Sequence, residues 1–445
     1  MTNLLLLSSI YGAYFKSFLI NVFNIKGVNS YNIASQNLFS TSFRISESYR
    51  TKKTLIFSIL KETLQNKNKN ANHFIRENQI NNGKFFFDDR IESYQERKEF
   101  CEFFLKDKIE GGIFKNTLSY LSNPFEFCYY LLHSIFFVPF LFLKTCFVKD
   151  KAPYSLLIKE SLECYQLLRL CKYLKVKELY YFNIYEKDSN INALLLQKAN
   201  IKVIKITSEV PLAIWNKRII ADKICLCNAY QFEEINYFKN TMFFKELEMW
   251  GPEKMMYVNK IYSNPVLNVT EQKTLAFYST GAWLRKLNND IDQGFNMSEN
   301  EELLKGYLKE YCNERSDIKL QIFLHPREKK KEMINQSIEH YNNVFNGIKF
   351  TVMDFKATTA ESFHLSDIAV AFNSTIMYER LFFGFKSILM PLSFKDFPIK
   401  NSSISNICVY TKEQLFKKLD DSFIMSSKSF FEFNKLENYR KEYLV

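Results

Sequence analysis

The chain has 445 residues, 47% hydrophobic and 24% charged, with a formal net charge of +12. That length asks for two or three domains, each with apolar residues enough for a core. The positive balance suits anionic partners such as nucleotides, acidic glycans or an anionic membrane surface. Nucleic acid is set aside, because the sequence has no zinc-finger spacing, no glycine-rich aromatic RNA-binding signature and no basic heptad arm. Nine cysteines are scattered along it. The nearest pair, Cys225 and Cys227, would point to opposite faces of a strand, so no metal-ligand pattern emerges. The chain reads as a reduced, cytoplasmic protein.

The first residues, "MTNLLLLSSIYGAYFKSF", lack the basic start and small-residue cleavage site of a secretory signal. They predict a buried strand from Leu4 to Ile10 that opens an α/β domain. Tyr11, Gly12 and Tyr14 would then follow a strand end and contact an acceptor. A helix ("FKSFLINVFNI") and a strand ("SYNIAS") come next, then a polar loop around residues 66–84. The stretch from Phe127 is uncharged until Lys144, at the short limit for a membrane span, and His133, Ser134 and Pro139 weaken that case. A buried core helix and a membrane-surface helix stay open beside it. Downstream, "SLLIKESLECYQLLRLCKYL" predicts a helix, Lys177 to Ile184 a strand, "NINALLLQKA" a helix, and "IKVIKI" and "DKICLCN" strands.

The last third of the chain alternates more clearly. Strands are predicted at Thr274–Thr280, Ile318–Leu324, "IKFTVMD", Asp367–Phe372, "KSILMPL" and "NICVY". Helices are predicted at Ser298–Glu314 with Ser298 as N-cap, from Pro326 to about Tyr341, at "TTAESFHLS", at "STIMYERLFFG" closed by Gly384, and at "TKEQLFKKLDDSF". This alternation implies parallel sheets with right-handed crossovers. The expected class is α/β, two Rossmann-like domains whose parallel sheets face a central cleft. Their extents would be 1–255, carrying an insertion over 66–150 that includes 127–144, and 271–430. No G-x-G-x-x-G advertises a dinucleotide. Ligands in such sheets bind outside the carboxyl ends of the strands.

Two places at such ends carry polar chemistry. In "LQIFLHPREKKKEM" a strand runs into His325, which can donate to a phosphate, and Pro326 turns the chain away. The basic run Arg327–Lys331 is a solvated helix face or an attraction for anions. In "DIAVAFNSTIMYERLFF" a strand runs into Asn373, Ser374 and Thr375 at a helix start, where free N–H groups and short hydroxyls suit an anion. Plain N-capping is the competing reading. Glu379 on that helix would face a ribose or simply solvent.

The pair His325-Pro326 and Ser374-Thr375 resembles the His-Pro and Ser-Ser/Thr motifs of bacterial sialyltransferases and polysialyltransferases, with similar features in capsule Kdo-transferases. The resemblance covers mainly residues 270–400. It implies a GT-B glycosyltransferase using a CMP-activated sugar, with phosphate on His325, Ser374 and Thr375. That family also carries two carboxylates and a Gly at a strand end of its first half, one of them the general base. The matching place is "YYFNIYEKDSNINALL", with Glu186 and Asp188. Lys187 separates the acids, and Ser189 stands where the family has Gly. Glu209 is a rival base, and Asp188 could instead cap the next helix.

An inverting transfer needs a base on the acceptor hydroxyl and donors where the leaving phosphate gains charge. A carboxylate, a His and a helix start meet both needs, so neither a metal nor another cofactor is expected, and the nucleotide sugar is a substrate. The expected acceptor is a surface-polysaccharide or lipid-linked glycan, handled in the cytoplasm or on the inner face of the membrane. A UDP- or GDP-sugar transferase, a CDP-polyol transferase and a non-catalytic membrane-associated protein with a degenerate site remain as alternatives.

Overall fold

The computed structural model describes residues 9, 10, 12, 13, 16, 83–87, 112–114, 164, 167, 168, 171, 172, 174–181, 189–207, 219–226, 231, 232, 235, 236, 242–250, 272–287, 297–353, 359–372, 374–392 and 403–439. The chain divides into two compact units, the first carrying β1 to β8 and the second β9 to β13.

In the first unit, β1 (Lys84–Phe87), β2 (Gly112–Phe114), β3 (Glu178–Tyr181), β4 (Lys202–Ile206), β6 (Lys223–Leu226) and β8 (Glu246–Met249) form one sheet in the order β2-β1-β3-β4-β6-β8. Every pairing is parallel. β5 (Ile219–Ile220) and β7 (Met242–Phe243) make a separate parallel pair. The inner strands are continuous apolar runs: Leu179–Tyr181, Val203–Ile204 and Ile224–Leu226 are buried, as strands covered on both faces require. Helix α1 (Ser189–Lys198) is tied down by Asn190, whose Oδ1 accepts from Lys205 Nζ at 2.7 Å and from the Ile220 N–H at 3.0 Å.

The strand expected over Leu4–Ile10 is corrected at its described residues, Ser9 and Ile10. Ser9, Ile10, Gly12, Ala13 and Lys16 are helical, and Ile10 and Ala13, three apart, are the buried pair. An apolar run of that length serves either state, and here burial follows the helix period. Gly12 is therefore an exposed helical residue and does not follow a strand end. Tyr11, Tyr14 and the segment Phe127–Lys144 lie outside the described residues. The polar loop ends one residue early, at Gly83 (φ +74°), and Lys84 already belongs to β1.

In the second unit, β9 (Lys273–Tyr278), β10 (Ile318–Phe323), β11 (Phe350–Met353), β12 (Ile368–Ala371) and β13 (Lys386–Leu389) pair in parallel in the order β11-β10-β9-β12-β13. Between them run α2 (Ala282–Leu287), α3 (Met297–Glu314), α4 (Ile334–Val344), a 3-10 helix (Thr359–Leu365) and α5 (Thr375–Phe382). A second 3-10 helix (Ser403–Ile407), α6 (Lys412–Ile424) and α7 (Ser427–Phe433) follow. The expected α/β class with parallel sheets is thus what the chain adopts. After β11 the chain returns past β9 to lay down β12. That reversal makes the carboxyl ends of β9 and β12 the switch point, where doubly wound sheets hold ligands. Met377, Leu381 and Phe382 of α5 pack with Phe363, Phe385 and Leu389 in the core, each burial worth about 1.5–3 kcal/mol.

Two local expectations are corrected here. In "NICVY", Asn406 and Ile407 end a 3-10 helix, and Cys408 joins the sheet edge through one parallel bridge to Leu389. The basic run after Pro326 is a series of turns, and the helix starts only at Ile334.

Candidate functional site

The carboxyl end of β10 leads through Leu324 into His325-Pro326. The four residues His325-Pro326-Arg327-Glu328 close on themselves. Nδ1 of His325 accepts from the Arg327 N–H at 3.2 Å, and Oε2 of Glu328 accepts from the His325 N–H at 2.6 Å. The Glu328 N–H returns to the His325 carbonyl at 2.8 Å. This is the reciprocal geometry of a capping box, with the imidazole in place of the usual hydroxyl and Pro326 at the first position, where its missing N–H costs nothing. Because Nδ1 accepts, the neutral ring carries its proton on Nε2.

Glu328 is fully buried and gathers the surrounding elements. Its Oε1 accepts from Trp283 Nε1 of α2 and, at 2.8 Å, from the Tyr341 hydroxyl of α4. The Tyr341 and Ser279 hydroxyls are 2.7 Å apart, and Ser279 Oγ accepts from the Gly281 N–H at 2.9 Å. Tyr341 has one proton, which goes to the carboxylate, an acceptor only. Ser279 therefore donates to Tyr341, and the chain of bonds has one direction, from the loop after β9 to Glu328.

That loop, Ser279-Thr280-Gly281, lies against the His-Pro turn. Gly281 has φ +65°, and a methyl group there would stand 3.3 Å from His325 Nδ1. Glycine supplies both the left-handed backbone and the room for the ring. From α3, buried Glu301 accepts from the Thr280 N–H at 2.7 Å, the Thr280 hydroxyl at 2.5 Å and the Ala282 N–H at 3.3 Å. Burial pushes its carboxyl up, against the pull of Thr280 and Lys305. The donors at the start of α2 are thus spent on the protein itself.

At the end of β12 the arrangement differs. Ser374 is the N-cap of α5 with extended backbone (φ −152°, ψ 137°), yet its side chain makes no capping hydrogen bond. Ser374 and Thr375 are both half-buried. The plain-capping reading is thereby overturned for Ser374. Glu379, one turn beyond Thr375, is 9% exposed, so the solvent-facing reading is corrected as well. Its neighbour Arg380 is fully buried and donates to the Phe363 and Ser366 carbonyls at 3.0 and 3.2 Å, and to Ser366 Oγ at 3.2 Å. It binds α5 to the preceding 3-10 helix.

β10, β9 and β12 are consecutive neighbours, so the strands that lead to His325 and Ser374 lie on either side of β9, about 10 Å apart by strand spacing. A phosphate between them would meet an imidazole N–H, the hydroxyls of Ser374 and Thr375, and a helix N-terminus. Asn373, Glu186, Asp188 and Glu209 lie outside the described residues. Among the described residues no three His, Cys, Asp or Glu side chains are grouped to hold a metal ion. The sequence reading missed Gly281, Ser279, Glu301, Glu328 and Tyr341. The one available signal was Glu328 three places after His325, the capping-box interval.

No family model matches the chain, and no curated protein matches its sequence. Among solved structures it is similar to Acinetobacter baumannii MurG, with 12% identity over 80% of this chain and 94% of that chain and a TM-score of 0.39. It is also similar to the UDP-GlcNAc 2-epimerase from Neisseria meningitidis bound to UDP-GlcNAc, with 8% identity over 63% and 76% and a TM-score of 0.41. The wall teichoic acid polymerase TagF matches at 10% identity over 91% and 93%, with a TM-score of 0.36.

Proposed function

We propose that this chain is a GT-B glycosyltransferase that moves a sugar from a nucleotide-activated donor to a surface-polysaccharide or lipid-linked glycan. The donor we favour is CMP-linked, carrying a sialic acid or Kdo-like sugar. One observation carries the reading: at the switch point of the second sheet, the strands that lead to His325 and to α5 lie on either side of the one that leads to a tight glycine loop, and the Ser374 hydroxyl is not spent on its own helix. Nε2–H of His325, the Ser374 and Thr375 hydroxyls and the positive end of α5 would stabilise the charge that grows on the leaving phosphate. Those groups meet that charge by themselves, so the reading needs no metal. Asn373 and Glu379 would complete the nucleotide site, Glu379 towards the ribose. The base that takes the acceptor's proton is assigned to Asp188, Glu186 or Glu209.

The reaction is placed in the cytoplasm, with the net charge of +12 drawing the protein to an anionic membrane face. Among the described residues no helix is long and apolar enough to cross a membrane.

Thermal unfolding with CMP, CDP, UDP or GDP tests the reading, in the wild type and in His325→Ala. A ligand that binds only the folded chain raises the melting temperature. We expect a rise with CMP that His325→Ala abolishes, and a loss of about 2–4 kcal/mol of transition-state stabilisation in that variant. A rise with UDP or GDP alone moves the donor to those sugars, a rise with CDP alone to a polyol donor. No rise with any nucleotide overturns the reading in favour of a non-catalytic protein.

A further inference from the structure

We infer that Glu328 is the positioning residue that makes His325 an Nε2–H donor aimed at a phosphate oxygen, a role that rests on the reading of the site as a nucleotide-phosphate site. Glu328 holds the His325 N–H at 2.6 Å while its own N–H holds the His325 carbonyl at 2.8 Å. Those two bonds fix the tight turn, and the turn brings the Arg327 N–H to Nδ1. The imidazole then has one tautomer available while neutral, with its proton on Nε2. Glu328 touches no ligand in this scheme and acts through the ring.

The same carboxylate connects the ring to the loop beside it. Through Tyr341 and Ser279 it orients the bond that holds Gly281 in its left-handed turn, and Gly281 is what lets the ring sit against the β9 loop. Trp283 adds a third donor to the same side chain. A carboxylate offers about four lone-pair sites to these three donors, whereas a carboxamide offers one oxygen and adds two protons of its own. Glu328→Gln therefore keeps size and shape but sets its NH2 against at least one of the donors. A second consequence is chemical. With Nδ1 engaged by Arg327 and Nε2 protonated, the neutral ring has no lone pair with which to take a proton, so His325 serves as a fixed donor and the base must come from elsewhere.

The test needs no nucleotide for its first readout. The chain has 5 histidines, so a protein labelled with 15N only in histidine gives few ring signals, and His325→Ala assigns the relevant one. In the wild type at pH 8 we expect His325 as a single Nε2–H tautomer. A wild-type ring protonated on Nδ1 overturns the inference without any variant. In Glu328→Gln the ring should become a mixture of tautomers, and affinity for inorganic pyrophosphate should fall about tenfold, the loss of one well-placed hydrogen bond. Tyr341→Phe keeps the His-Pro turn and should retain the single tautomer. It separates the turn from the rest of the network should Glu328→Gln fail to fold, and a mixed tautomer in Tyr341→Phe also overturns the inference. An unchanged tautomer and unchanged pyrophosphate affinity in folded Glu328→Gln sinks it as well. If the tautomer responds but no nucleotide binds the wild type, positioning by Glu328 stands and the transferase reading falls.

Discussion

The ammonium of Lys305, on a side chain with no exposed surface, lies 2.9 Å from His340 Nε2 and 2.5 Å from a Glu302 carboxylate oxygen. His340 stacks on Trp283 with ring centres 4.3 Å apart. Burial, then the adjacent Lys305 charge, pushes the imidazole down to about 4. The unfolded chain takes up the same proton near pH 6.5. Between those values the unfolded state binds more protons than the folded one, so stability is complete above about 6.5 and falls as pH drops through the window. His340→Phe keeps a ring on Trp283 and removes the titration. We expect the melting temperature of wild type to fall more steeply than that of His340→Phe between pH 7 and 4.5. Parallel curves would show that His340 titrates normally. At this scale the sequence disclosed His325, because a lone His ending an apolar run is visible. It hid Glu328 and Gly281, whose parts depend on a side chain folding back and on two loops meeting.

The two hydroxyls that begin α5 and α6 look alike in sequence and differ in the fold. Thr411 accepts from the Gln414 N–H at 3.2 Å and caps α6, whereas Ser374 caps nothing with its side chain. Replacing a working cap by Ala costs about 1 kcal/mol. We therefore expect Thr411→Ala to lower chemical-denaturation stability by about that amount, and Ser374→Ala to leave it within about 0.5 kcal/mol while weakening nucleotide binding. A stability loss in Ser374→Ala equal to that of Thr411→Ala, with binding intact, would return Ser374 to a structural role. Element type was legible where the period was clear, as in β10, α3 and α6, although α3 already includes Met297, so that Ser298, expected as its N-cap, lies inside the helix. It was not legible in β8, "ELEM", an edge strand whose two glutamates are exposed, nor in "KFFF" of β1, where an unalternating run gives no period. The basic run after Pro326 has the composition of a helix. It is held as turns because Glu328 is drawn inward to His325, Trp283 and Tyr341.

At the scale of the molecule, strand order was beyond the sequence, since alternation implies parallel pairing but does not say where the chain reverses. The reversal between β11 and β12 puts the loops after β9, β10 and β12 side by side, and all three belong to the second unit. Phosphate binding should therefore be a property of that unit. Hydrogen exchange in the whole protein checks this, because bound ligand suppresses opening of the segments it holds. With saturating nucleotide, protection should rise in peptides spanning Ser279–Gly281, His325–Lys329 and the first turn of α5. Peptides from α1, β4 and β6 should change little. The reverse pattern, protection centred on the first unit with the second unchanged, would mean that the nucleotide sits elsewhere and that the His325–Ser374 edge is structural.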